Sequence, residues 1–167
     1  MSLRFGIREA DIAQRENGII SWLGTNEHMA GGEIFGLFSE GVSDTFSYST
    51  RMITQLALDS LVERGVVESQ TVLQGGVGFQ VFNLADRAAA DSVDPATVEL
   101  TPREIALMCT IDTRRYQAQT ADELNTRLRL GNANPLRTEA CLTHLAKIGL
   151  LNAVESPAGA YLIAQPK

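Results

Sequence analysis

The sequence predicts a mostly α protein with small β hairpins, of the α+β class, in which one order of elements occurs twice. Three observations carry this. Helical apolar patterns come in groups of three; each group ends at a glycine that runs straight into an alternating strand pair; and a stretch rich in small, acidic and proline residues, ADRAAADSVDPATVEL (85–100), separates the groups. The expected organisation is a first domain over 1–88, a linker over 89–99 and a second domain over 100–167. At 167 residues and 44% hydrophobic, the chain has enough apolar material for two small cores.

In the first half, ADIAQRENGIISWLGT places Ile12, Ile19, Ile20, Trp22 and Leu23 on a helical pattern, and GGEIFGLFSEG gives a short second helix with Ile34, Leu37 and Phe38. A third helix, from about Ser49 to Arg64, stops at Gly65, the residue type expected just past a helix C-terminus. The segment VVESQTVLQGGVGFQVFNL (66–84) alternates around a glycine tip and reads as a hairpin. Its Val72, Val77, Phe79 and Val81 are expected to supply a packed face. Gln74 to Gly78 lacks the Gly-Lys-Ser/Thr ending of a phosphate loop and lies between two strands, so it is a turn.

The second half repeats the order. Thr101 with Glu104, and Thr120 with Glu123, match the capping box, in which a threonine hydroxyl and a glutamate three residues on satisfy free amides at a helix start. Asn134-Pro135 opens a helix that stops at Gly149, and LLNAVESPAGAYLIA gives two strands around Ser156 to Gly159. Aligning Gly65 with Gly149 superposes Leu58 on Leu142 and Leu61 on Leu145. Three helices followed by a hairpin, the last helix entering the first strand directly, is the order of a winged helix-turn-helix domain, here in tandem.

At LTPREIALMCTIDTRRYQAQTADELNTRLRL (100–130) the chain resembles the second winged helix of the YceH-like family, uncharacterised bacterial tandem winged-helix proteins. The resemblance rests on Leu100-Thr101, Glu104 to Leu107, Ala118-Gln119-Thr120, Glu123-Leu124 and Arg127, with Leu142 and Leu145 further on. The first half shares only the helix-then-hairpin order. The resemblance implies the tandem architecture and no particular activity.

Net charge is −6, unevenly spread: residues 1–88 hold six basic and eleven acidic side chains, and residues 100–167 hold eight basic and six acidic. Affinity for a polyanion is therefore expected to lean on the second half. No segment reads as a signal peptide or membrane span, so a soluble, cytoplasmic protein with no membrane partner is expected. Cys109 and Cys141 lie in helical, largely apolar contexts and are expected to be buried, reduced thiols.

Catalysis is not expected: with only His28 and His144 there is no recognisable nucleophile or metalloprotease motif. Cys109, Cys141 and His144 could supply three zinc ligands if their helices met, but the expected arrangement is a core thiol beside an exposed or capped imidazole, with no metal or cofactor.

What remains is recognition by helices. The third helix of the first domain turns Ile53, Ala57, Leu58 and Leu61 inward and Arg51, Met52, Gln55, Asp59 and Glu63 outward. Candidate nucleic-acid contacts are Ser49, Thr50, Arg51 and Gln55 on that helix, and Arg114, Arg115, Arg127, Arg129 and Arg137 in the second domain. Two readings follow. One is a DNA-binding, transcription-regulator-like pseudo-dimer with modest, salt-sensitive affinity for duplex DNA. The other is a winged-helix interaction module, or an accessory subunit of a larger chromosome-associated assembly, that binds protein through its hairpins and third helices. Acidic residues in the first domain, outward Met52, Leu56 and Leu136, and hairpins free of lysine and arginine support the second.

Overall fold

The structure is a computed structural model and describes residues 7–114, 116–128, 134–154 and 159–163. It is mixed α and β. The described elements run α1 (Glu9–Thr25), β1 (Met29–Ala30), α2 (Gly31–Ser39), α3 (Asp44–Glu63), β2 (Val67–Gln74), β3 (Val77–Leu84), α4 (Pro102–Asp112), α5 (Ala121–Arg127), α6 (Pro135–Lys147), β4 (Leu151–Val154) and β5 (Ala160–Ile163). Two short 3-10 turns, Arg87–Ala90 and Pro95–Thr97, lie between β3 and α4. The chain divides into two compact units, Met1–Glu99 and Leu100–Lys167.

In the first unit α1, α2 and α3 enclose Ile19, Trp22, Leu23, Ile34, Leu37, Phe38, Leu58 and Leu61, all buried. The sheet order is β1-β3-β2, with Met29 opposite Phe82 and Val67 opposite Leu84, all antiparallel. Side chains directly opposite one another share a sheet face. The core therefore takes Val67, Phe82 and Leu84 from the hairpin. The set expected to be packed, Val72, Val77, Phe79 and Val81, lies on the other face.

One further expectation is corrected. Helix α3 begins at Asp44 behind Ser43, so Ser49 and Thr50 sit in its second turn and not at its N-terminus. Within residues 89–99 two side chains bond to α1: Asn17 Nδ2 donates to Thr97 Oγ1 at 3.2 Å, and Arg15 Nε donates to Glu99 Oε2 at 2.6 Å. Gly18 makes this approach possible, because a Cβ there would lie 3.1 Å from the Glu99 carbonyl oxygen and 3.2 Å from Phe38 Cζ.

In the second unit Leu107, Ile111, Leu124, Leu142, Leu145 and Leu151 form the buried apolar centre. Thr101 and Glu104 make the reciprocal capping box, at 3.3 Å (Glu104 N–H to Thr101 Oγ1) and 3.0 Å (Thr101 N–H to Glu104 Oε1). At α5 only half of the expected box forms, Glu123 N–H donating to Thr120 Oγ1 at 3.1 Å, while Asn134 Oδ1 caps α6 through Arg137 N–H.

The units share three local devices. At the end of α3, Gly65 has φ 75°, its N–H donates to Val62 O, and Val66 N–H donates to Leu61 O; at the end of α6, Gly149 has φ 86°, with Ala146 O and Leu145 O accepting in the same pattern. Both are Schellman closures that satisfy the last free carbonyls and turn the chain into a strand. The residue pairs Thr54/Thr138, Leu58/Leu142, Leu61/Leu145 and Val67/Leu151, each 84 apart, are buried in both units. Finally, a short extended piece ahead of the second helix pairs with the second hairpin strand in each: Met29–Ala30 with β3, and Gln119 with Tyr161 of β5.

Among the described residues, no helix is long and apolar enough to cross a membrane.

A Cβ at either Gly65 or Gly149 would meet nothing within 4 Å, so any cost of substitution there is backbone strain alone. Gly65→Ala and Gly149→Ala are each expected to lower unfolding free energy by about 1 kcal/mol in urea titrations. Asparagine, which tolerates the left-handed region better, should recover part of that loss.

Candidate interaction surfaces

The expected contact residues on α3 divide into two groups. Thr50 is taken up internally: its carbonyl oxygen accepts from Arg15 Nη1 at 3.0 Å and its hydroxyl oxygen from Arg15 Nη2 at 3.4 Å. Ser49 is half-buried. Arg51 and Gln55 are exposed, and Gln55 Nε2 donates to Asp59 Oδ1 at 2.8 Å along the outward face. That face carries Asp59 and Glu63, both exposed, as the helical period requires.

Arg15 is the residue that sequence reasoning missed on this helix pair. Its side chain is only 5% exposed, between α1 and α3. Nε and Nη2 grip Glu99 at 2.6 and 3.0 Å, Nη1 reaches Thr54 Oγ1 at 2.6 Å, and the guanidinium carbon stands 4.6 Å from the centroid of the Phe38 ring. A buried guanidinium is tolerable because its donors are met in this way. The second unit has a counterpart: Arg103 of α4 is 1% exposed and its Nη1 donates to Thr138 Oγ1 of α6 at 2.9 Å.

Of the second-unit arginines, Arg115 and Arg129 lie outside the described residues. Arg127 is not a free surface cation. Its Nη2 donates to Thr113 Oγ1 at 2.6 Å and to Thr110 O at 3.2 Å, and its Nη1 donates to Gln119 Oε1, so it ties α5 to the end of α4. Arg114 is exposed beside Asp122 and Glu123, with which it lines a shallow depression of about 440 Å³. Arg137 is half-buried, and its backbone N–H is spent on the α6 cap. Ser49, Thr50, Arg51 and Gln55 belong to the first unit; of the described arginines of the second, Arg114 and Arg127 line one depression together with Asp122 and Glu123.

The cysteine and histidine expectations also change. Cys141 is buried but Cys109 is exposed, because α4 turns Arg103, Glu104, Leu107 and Ile111 inward and Cys109 falls on the opposite side. His144 is fully buried rather than exposed, with Nδ1 2.6 Å from Glu104 Oε2. Cys109, Cys141 and His144 are thus not brought together. Among the described residues no group of three or more His, Cys, Asp or Glu side chains is placed to hold a metal ion.

A groove lies in the first unit, on the sheet face turned away from the core. It encloses about 760 Å³. Val72, Phe79 and Val81 form its floor, and Glu27 and Glu33, both exposed, stand on its rim. Val77, on the same sheet face at the hairpin tip, is 66% exposed.

No protein-family model matches the chain, and no curated protein matches it. Among solved structures it is similar to a chain of the Nse1-Nse3-Nse4 complex, over 91% of this chain and 68% of that one, with 9% sequence identity and a TM-score of 0.33.

The buried polar pins give a direct expectation. Arg15→Met removes the charged partner of Glu99 and one hydrogen bond of Thr54, and Glu104→Ala removes an acceptor from His144 and from the Thr101 N–H; each should lower unfolding free energy by about 2 kcal/mol. Chemical denaturation followed by circular dichroism would measure both. Arg51→Ala, at an exposed site with no side-chain partner among the described residues, should change stability by about 0.5 kcal/mol or less.

Proposed function

We propose that this chain is a non-catalytic, tandem winged-helix protein that works by binding other proteins, as an interaction module or accessory subunit of a larger assembly. The tandem winged-helix reading is supported by the shared devices of the two units: matching Schellman closures, the buried arginine–threonine pins, and a short extended piece paired to the hairpin. The resemblance of residues 100–130 to the YceH-like family points the same way. The observation that carries the protein-binding reading is the open sheet face of the first hairpin. A solvent face is ordinarily polar, yet this one presents Val72, Val77, Phe79 and Val81 beside acidic side chains.

A DNA-binding regulator is the second reading, favoured by Arg51, Arg114 and Arg137, whose side chains make no hydrogen bond or ion pair among the described residues. Three such cations among the described residues are few for this purpose. Neutralising three phosphates gives a slope of only about −3 in a plot of log affinity against log salt. The two hairpins carry neither lysine nor arginine to add to them.

Gel retardation of random duplex DNA in low salt separates the readings. No retardation at micromolar protein is expected. Retardation that disappears in the Arg51→Ala, Arg114→Ala, Arg137→Ala triple variant would restore the regulator reading in place of the interaction module.

A further inference from the structure

We infer that the open face of the first hairpin docks an amphipathic helix of a partner protein, with an apolar stripe seated on Phe79, Val81 and Val72 and basic side chains facing Glu27 and Glu33. The inference deepens the protein-binding reading and rests on it. Phe79 pairs with Val72 across the ladder, and Val81 lies opposite Gln70 on one side and Ala30 on the other, so Val72, Phe79, Val81 and Ala30 form an apolar strip across three strands, bordered on the same face by Gln70, Gln74 and Asn83. A floor that wide suits a helix, whose diameter with side chains is about 10 Å, the width of two strand spacings.

Charge selects among occupants. Glu27 and Glu33 are exposed at the groove, and Glu68 lies on the same sheet face, where it accepts from Asn83 Nδ2 at 3.2 Å. The one arginine at the groove, Arg87, has its Nη2 turned to the Gly24 carbonyl oxygen at 2.9 Å. Phosphates would be repelled here. Two copies meeting face to face about a twofold axis would set these carboxylates against each other. A segment with basic flanks meets the same groups with attraction and gains apolar burial on the floor.

Strand addition along β2 is a weaker fit. The edge of β2 is open in the order β1-β3-β2, but Glu27 and Ala30 belong to the β1 side, two strand spacings away at about 10 Å. An added strand would leave the acidic rim unused; a helix laid over the face reaches it.

The test uses the full chain and a fluorescein-labelled designed helix of about five turns, with a leucine stripe at i, i+3, i+4 and i+7 flanked by lysines, and a twin carrying glutamates in place of the lysines. The lysine peptide is expected to bind at least about tenfold more tightly than its twin, a difference of about 1.4 kcal/mol. Glu27→Lys with Glu33→Lys should invert that preference, and Phe79→Ser should weaken both peptides while circular dichroism shows the fold retained. Equal binding of the two peptides, no binding of either, or a preference that the double variant leaves unmoved would overturn the inference.

A photo-crosslinking residue placed at Val77, and separately at Leu136 on α6, distinguishes this failure from failure of the broader reading. A partner joined at Val77 through a basic amphipathic segment supports the docking site. A partner joined only at Leu136, or a second copy joined at Val77, overturns the docking site and leaves protein binding standing. No adduct at either position overturns both.

Discussion

The hydrogen-bonding demand of a buried arginine organises each unit. A guanidinium has five N–H donors and cannot shed its charge, so once it is out of water the surrounding chain must deliver acceptors in fixed places. Arg15 obtains them from Thr50, Thr54 and Glu99, which fixes α3 against α1 and draws residues 94–99 onto the same helix. Replacing such a network with apolar groups of equal shape could leave stability unchanged. What the network adds is position: α3 meets α1 in the register at which Thr54 reaches Arg15, and the Glu99 segment lies where Gly18 leaves room.

The second unit uses the same idea with different parts. Arg103 meets Thr138, the residue 84 positions after Thr54, but it projects from the first turn of α4, whereas Arg15 lies in the middle of α1. Its neighbour Glu104 is shared between the helix cap and His144, linking the start of α4 to α6 through a wholly buried pair. Gln119 and Arg127 then close the α4–α5 connection, through backbone bonds to Tyr161 on one side and to the end of α4 on the other. The two units thus share positions, with the acceptor chemistry assigned independently in each.

This explains which parts of the fold the sequence discloses. Gly65, Gly149, Thr101 with Glu104, and Asn134-Pro135 act within one turn of their own positions, so local spacing is sufficient to read them. Ser49 misleads because a serine in a helix resembles a cap, while Ser43-Asp44 lies only six residues upstream with equal local merit. Arg15 and Arg127 look like ordinary surface cations because their acceptors come from distant segments, Glu99 being 84 residues from Arg15. The hairpin defeats the apolar pattern in another way. It has two alternating apolar sets, Val67, Phe82 and Leu84 against Val72, Phe79 and Val81, and only its attachment to the helices decides which faces the core.

The interior also shapes the exterior of the first unit. Of its described basic side chains, Arg15 is buried on Glu99, Arg8 and Arg64 are paired with Asp11 and Glu16, and Arg87 is turned to a backbone carbonyl, which leaves Arg51. The Arg8 N–H and guanidinium hold the Asp11 carboxyl below its ordinary range, so that pairing is in place at neutral pH and is lost only as pH falls through the lowered value. Glu27, Glu33 and Glu63 are exposed and take no part in such pairing. Among the described residues, an excess of carboxylates in the sequence thereby becomes an acidic surface with one free arginine, and on that surface lies a hairpin face whose valines and phenylalanine find no core to cover them. Phosphate recognition needs the opposite sign of charge, whereas an apolar segment with basic flanks needs this one.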